Sequence, residues 1–423
     1  MTSGVMTSAI DSASAVHPAQ TAGSKRFAGK RVAMVTFSPY PYDPRPRRAI
    51  DALVSEGASV DLICLGNDNA PRHETLNGIR IRRIPIKHDR RGKFAYAYRY
   101  AAFILTSGAI FAWRSLARRY DLVYVHNMPD ILVLSALVPK ALGAKVVLDL
   151  HDPMPELMMT IYEARPESKS VRLLEKVEKW SIARADLAIT VNVACQRIFS
   201  SRSCGSEKIA VVMNSPDHKI FPFHPPPTDV QGSRDPTKPF VIMYHGSLVE
   251  RNGLDVAIDA LALIRETLPS AELHIFGKST HFLERAMETA RNKNLHDRVR
   301  FLGVRPLERL VTEIENCDLG VIPNHRNAFA DINTPTRIFE YLALGKPVIA
   351  PFTPGIQDYF SKGSMLFFEP GNPVNLAQQI EYAYSHPYEV LEIVREGQKV
   401  FIAHTWEQER QTLLDRIGQI LDK

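Results

Sequence analysis

DINTPTRIFEYLALGKPVIAP, residues 331–351, decides how this chain is read. Asn333-Thr334-Pro335-Thr336 is a polar turn that opens a helix: Asn333 or Thr334 offers the capping oxygen, and Pro335 suits the first helical position. Leu344-Gly345-Lys346-Pro347 ends that helix and feeds the apolar strand Val348-Ile349-Ala350. A helix that runs straight into a buried strand is the repeating unit of an α/β sheet. The amides at the helix start, with the positive end of its dipole, make a seat for phosphate. Glu340 lies one turn in, at the same end, where a carboxylate can hold hydroxyl groups. Taken locally, an ordinary capped helix that binds nothing is an equally good reading.

Outward from this segment the alternation continues in both directions. Val32–Phe37 reads as a buried strand, followed by a proline-rich loop and a helix from about Arg47 to Glu56. Ser59–Leu65, Leu122–His126, Lys145–Leu150, Leu187–Thr190 and Ile209–Met213 repeat the strand signal, which implies a parallel sheet covered on both faces. Asn214–Pro239 is rich in proline, poor in periodic apolar positions, and reads as a linker. A second alternation starts at Phe240 and runs through Glu272–Phe276, Leu319–Ile322, Val348–Ala350 and Met365–Phe368. The expected boundaries are a disordered leader at 1–29, a first domain at 30–215, a linker at 216–239, a second domain at 240–403 and a terminal helix at 404–423. The fold class is α/β, two doubly wound Rossmann-like domains facing a cleft at the carboxyl ends of their strands. No GxGxxG follows the first strand, which argues against a nicotinamide-dinucleotide site.

Composition narrows the function classes. A chain of 423 residues with 45% hydrophobic content holds two separate cores. The four cysteines are scattered without a CxxC pair, and the 14 histidines show no HExxH spacing. With no Asp-x-Asp triplet either, no metal and no cofactor is expected. Residues 1–29 lack the apolar core of a signal peptide, and no run approaches the roughly 20 apolar residues of a membrane span. The expected location is therefore cytoplasmic. The net charge of +6 is concentrated in the first hundred residues, among them Arg45, Arg47, Arg48, Arg80, Arg82, Arg83, Lys87, Arg90, Arg91, Lys93 and Arg99. No nucleic-acid module accompanies them, so an anionic membrane surface is the better partner than nucleic acid.

Five segments in order, Tyr244-His245-Gly246-Ser247, Ile275-Phe276-Gly277, Val299–Gly303, Cys317–Pro323 and the 331–351 stretch, resemble the retaining glycosyltransferases of family 4. The last is similar to the donor motif of a subgroup that reads Pro-x-Lys/Arg followed by Phe-Glu-Tyr. The resemblance runs from about Lys30 and implies a GT-B fold with a nucleotide-diphosphate sugar as co-substrate. It implies a donor site at Gly246, Ser247, Arg251, Gly277, Thr334, Thr336, Arg337 and Glu340. It also implies that a histidine at the position of His126 lies near the anomeric carbon, and that the C-terminal helices cross back to the first domain. Two departures stand out. The usual Arg and Lys after the first strand of the second domain are Ser247 and Asn252, with Arg251 adjacent, and the first of the paired glutamates is Ile332, beside Asp331. Arg337, an alternative cation for the diphosphate, or else a helix-surface ion-pair partner, suggests a rebuilt site.

His126 ends one strand, and His151 and Asp152 follow the end of the next, where doubly wound folds keep their sites. These three are the catalytic candidates; His151 or Asp152 can orient or deprotonate an acceptor hydroxyl. Capping of the following helices is the competing role. In the loop 38–45, Tyr42, Asp43 and Arg45 are candidate acceptor or donor-sugar contacts, unless its prolines make it rigid scaffolding. Phe94–Trp113 is apolar and aromatic apart from Arg99, and is either a core helix or one that packs against a bilayer. The function expected is metal-independent hexosyl transfer to a glycan or lipid-linked acceptor in surface polysaccharide synthesis, with peripheral contact at the inner face of the membrane. The alternative is a non-catalytic nucleotide-sugar-binding or regulatory protein.

Overall fold

The computed structural model describes residues 25–66, 70–86, 93–227 and 238–423, with backbone only for 93–96. The first domain is built on an eight-stranded sheet of order β3-β4-β2-β1-β5-β6-β7-β8. Its strands are β1 (Arg31–Pro39), β2 (Ser59–Leu65), β3 (His73–Leu76), β4 (Ile79–Ile84), β5 (Leu122–His126), β6 (Lys145–Leu150), β7 (Leu187–Thr190) and β8 (Ile209–Val211). All neighbours run parallel except β3 with β4. That pair is a hairpin closed by Asn77-Gly78, both at positive φ, the dipeptide suited to a tight hairpin turn. Central strands such as β5 and β6 are nearly continuous apolar runs because helices cover both faces, leaving one core on each side of the sheet.

The second domain has a six-stranded parallel sheet of order β11-β10-β9-β12-β13-β14. The strands are β9 (Phe240–His245), β10 (Ala271–Phe276), β11 (Val299–Gly303), β12 (Leu319–Val321), β13 (Val348–Pro351) and β14 (Leu366–Phe368). Its two cores again flank the sheet. The strand order steps outward in both directions from the centre, which puts the ends of β9 and β12 at the switch point where such sheets bind ligands.

Two expected boundaries shift. Lys25–Gly29 form a turn with Phe27 buried in the first core, its amide bonded to the Glu56 carbonyl, so the ordered domain begins before Lys30. The remaining leader residues, 1–24, lie outside the described residues. Within the linker, Phe221 is buried in the second domain's core and the His224 amide donates to the Ala343 carbonyl, so this stretch belongs with the second domain. The helix Pro387–Ala403 stays with the second domain through Val394 and Phe401. The helix Trp406–Leu421 crosses back and buries Leu413, Leu414 and Ile417 in the first domain's core, where Trp406 packs with the Arg48 guanidinium over its ring.

The helix Lys93–Ala117 fits neither of its expected descriptions alone. Phe103, Ser107, Phe111 and Ser115 face the core, whereas Tyr98, Leu105, Trp113 and Leu116 face outward. Its stretch Ala97–Ala117 is long and apolar enough to cross a membrane by length and composition, contrary to the expectation that no such run exists. Only a third of it is buried, and its other face is part of the first domain.

Candidate active site

At the carboxyl ends of β5 and β6 a charged cluster is built inward from the sheet. Asp149, on β6, is buried; its Oδ1 accepts from Arg45 Nε at 2.9 Å and again from Nη2, and its Oδ2 accepts from the Tyr124 hydroxyl at 2.9 Å. Burial raises the carboxyl's pKa, but the Arg45 charge overrides it, aided by the His126 hydrogen bond, and Asp149 is held well below the usual carboxylate range. His126 Nδ1 lies 3.4 Å from Asp149 Oδ2 and 3.1 Å from His151 Nε2. Burial pushes His151 well below the ordinary histidine range despite the pull of Asp149, so its ring is neutral near pH 7. His126 Nδ1 is taken up by its contacts with Asp149 and His151, which leaves Nε2 as the ring's other nitrogen. That atom is buried and has no partner among the described residues.

Asn127 locks the two strand ends together. Its Oδ1 accepts from the His151 amide at 2.7 Å, and its Nδ2 donates to Asp130 at 2.8 Å and to the Asp152 carbonyl at 3.3 Å. Burial lifts Asp130 to about 7, against the Asn127 hydrogen bond. Burial also raises Asp152, with Arg45 and Arg251 acting in the opposite sense. The ligand-type atoms of His126, Asp149 and His151 lie within 4.8 Å of one another. They suit a metal poorly, because both Asp149 oxygens are engaged by Arg45 and Tyr124 and the guanidinium opposes a second cation.

The second domain's site is more open. The helix Thr336–Ala343 buries Ile338, Phe339, Tyr341 and Leu342 and turns Thr336, Arg337 and Glu340 outward. Tyr341 fits only because β12 carries Gly320, where a Cβ would lie 2.6 Å from the tyrosine ring. Its hydroxyl donates to the Met243 carbonyl and lies 2.9 Å from His245 Nδ1, while His245 Nε2 lies 2.6 Å from Glu340 Oε2. The histidine at the end of β9 therefore fixes the Glu340 carboxylate, a partner that the sequence did not single out. Arg337 donates to the His245 carbonyl at 2.8 Å and stacks on Tyr244 with 4.9 Å to the ring centroid. Among the described residues it makes no ion pair with a carboxylate. Gly246 and Gly277 end β9 and β10 so closely that a Cβ on Gly277 would meet the Gly246 carbonyl at 2.3 Å.

Several expected residues take other roles. Pro335, not Asn333 or Thr334, is the N-cap, and no side chain caps the helix. Thr334 instead donates to the Gly355 carbonyl at 2.8 Å and lies 3.3 Å from Asn192 Nδ2 of the first domain. Asp43 is the N-cap of the helix Pro44–Ser55, bonding the Arg45 amide, so it supports the backbone. Arg45 is buried against Asp149 and Asn214; burial and charge pairing across 104 residues of sequence are invisible to local reading. Tyr42 is exposed. His126 is fully buried behind His151, whereas His151 and Asp152 are only partly covered. Ser247 is exposed with its carbonyl bonded by Asn252 Nδ2, and Arg251 is half-buried with no ion-pair partner among the described residues.

The two sites belong to one cleft because the domains touch beside it. Asn192 donates to the Ile332 carbonyl at 2.8 Å, the Val193 amide donates to the Tyr359 hydroxyl at 2.9 Å, and Arg197 pairs with Asp358 at 2.7 Å. The Ile332 side chain packs on the first domain's core, which is a physical use for an apolar residue at that position.

Comparison with known proteins bears on the family and the fold. Residues 42–215 match the family described as Glycosyl transferase 4-like domain, and residues 227–400 match Glycosyl transferases group 1. A glycogen synthase of Mycobacterium tuberculosis is 26% identical over 193 residues, 45% of this chain and 44% of that protein. The amylovoran biosynthesis glycosyltransferase AmsK of Erwinia amylovora is 26% identical over 179 residues, 42% of each chain. The matched region thus spans less than half of either relative. Among solved structures, Anabaena Alr3699/HepE in complex with UDP-glucose superposes with a TM-score of 0.66 at 18% identity, over 92% of this chain and 99% of that one, a likeness of fold.

Proposed function

We propose that this chain, a GT-B protein whose halves each match a glycosyltransferase domain, transfers a hexosyl group with retention from a nucleotide-diphosphate sugar to a glycan or lipid-linked acceptor. What carries this is the outward edge of the helix Thr336–Ala343, where Arg337 and Glu340 present a cation and a carboxylate at the end of β9. Glu340 holds ribose hydroxyls, and Arg337, Arg251 and the uncapped amides at Thr336 take up the diphosphate. These fixed cations and dipoles stand in for a metal ion, stabilising negative charge as it develops. The anomeric carbon–oxygen bond breaks with its electron pair leaving on the diphosphate. The acceptor oxygen attacks from the same face, and its proton passes to the departing phosphate oxygen, with His151 and Asp152 orienting the hydroxyl. His126 Nε2 accepts a sugar hydroxyl once the side chains that cover it move aside. The setting is cytoplasmic surface-polysaccharide assembly; one relative, AmsK, is named an amylovoran biosynthesis glycosyltransferase.

A thermal-shift series of the full chain against UDP, GDP, ADP and dTDP and their common sugars tests this directly. A ligand at about 100 times its dissociation constant stabilises the native state by about 2.7 kcal/mol. Stabilisation by one nucleotide family supports the donor site and names its base; UDP-glucose, bound by the Anabaena protein, is the first to try. Stabilisation by none favours the second reading, a non-catalytic regulatory protein, which the uncharged Ser247, Asn252 and Ile332 keep in view.

A further inference from the structure

The long helix Lys93–Ala117 carries an outward face with no role in the cleft. Tyr98, Ala101, Leu105, Ala109, Trp113 and Leu116 recur at intervals of three and four residues and are all exposed, four of them large: Tyr98 75%, Leu105 73%, Trp113 77% and Leu116 72%. At about 1.5 Å per residue this is a stripe on the order of 25 Å long, and it holds no charged side chain. The inward face is already satisfied by the core through Phe103 and Phe111, and the Ser107 and Ser115 hydroxyls bond back to the helix's own carbonyls. Nothing on the helix needs the outward apolar side chains for folding. A soluble domain rarely leaves so continuous an apolar face uncovered.

Charge and aromatic placement choose the occupant. The helix contains no Asp or Glu, and the exposed Arg118 and Arg119 follow its end directly. Tyr98 and Trp113 sit towards opposite ends of the stripe, and their rings are apolar with a polar tip, the residues that settle at a headgroup boundary. Leu134, Leu137 and Val138 widen the apolar area from the short helices packed against the same element. A helix apolar on one side, flanked by cations and free of acids, matches an anionic bilayer lying parallel to its axis. We infer that this face docks the first domain on an anionic membrane surface, with Leu105, Trp113 and Leu116 entering the headgroup region and Arg118 and Arg119 contacting lipid phosphates. The surface is separate from the cleft, so it stands or falls independently of the transferase reading.

Flotation of the full chain with vesicles of phosphatidylcholine and phosphatidylglycerol in equal parts, against phosphatidylcholine alone, tests it. The protein is expected to float with the anionic vesicles, with a blue shift of tryptophan emission. Leu105→Glu with Trp113→Glu should cut the bound fraction at least about ten-fold while leaving the melting temperature unchanged, because both positions are exposed. Arg118→Glu with Arg119→Glu, which leaves the apolar face intact, should weaken binding to the anionic vesicles and remove its salt dependence. No flotation with anionic vesicles overturns the inference. So does equal flotation of the Leu105/Trp113 variant, or a dimer in sedimentation that this variant splits, since the face would then belong to a second copy of the chain.

Discussion

The two strand-end clusters on either side of the cleft are built on opposite plans. In the first domain Arg45, Tyr124, Asp149 and His126 are buried and bind chiefly one another, so the fold holds the Arg45–Asp149 pair charged. In the second, Glu340 and Arg337 are held from behind by His245 and Tyr244 but keep an outward side. The difference teaches that one cluster is closed on itself by the fold while the other keeps polar groups facing outward. Removing a member should therefore cost stability in the first domain and affinity in the second.

The largest effect belongs to Arg45. Arg45→Met strands the buried Asp149 carboxylate, and breaking a buried pair from one side costs about 3–5 kcal/mol. Urea unfolding should show that loss for the first domain; a change below about 1 kcal/mol would mean that the cluster is not structurally closed. Glu340→Ala should do the reverse, weakening nucleotide-sugar binding by about 1.5–3 kcal/mol, the range for hydrogen bonds to a charged group, with little change in melting temperature. Calorimetric titration reads this, and an unchanged donor affinity would place the nucleotide elsewhere.

The most gradual effect is one of pH. Asp130 is lifted from 3.8 to about 7, so the folded protein holds its proton where the unfolded chain releases it. The stability from this group is complete below pH 3.8 and is lost as pH rises through about 7, at no more than about 1.4 kcal/mol per pH unit. Asp130→Asn should flatten the stability curve across that window; identical slopes for the two proteins would show that burial does not hold the proton on Asp130.

The contrast also explains what the sequence could reveal. The second domain's site was legible because Thr336, Arg337 and Glu340 lie within one turn or so of each other, and a helix start has local signals. The first domain's cluster joins Arg45 to Asp149 across 104 residues, and only the sheet order brings them together. The alternating strands gave the GT-B fold, yet β3 and β4 were passed over although Asn77-Gly78 marks their turn. Thr334 looked like a cap because caps are read from residue type, whereas its hydroxyl is drawn to Gly355 across the chain. The helix Lys93–Ala117 could be read as core or as membrane-facing because an apolar sequence does not tell a covered face from an open one; its structure has both.

The division of labour is tested most directly by measuring donor dissociation constant and turnover together for His126→Ala and Glu340→Ala. With His126 behind the reacting face, its loss should lower turnover by about 10²–10⁴-fold, the range for a general acid–base or orienting group, and leave donor affinity within about two-fold. Glu340→Ala should shift mainly the dissociation constant. If His126→Ala instead weakens donor binding as much as Glu340→Ala does, and turnover at saturating donor is unchanged, the two clusters serve the same purpose and the account is wrong.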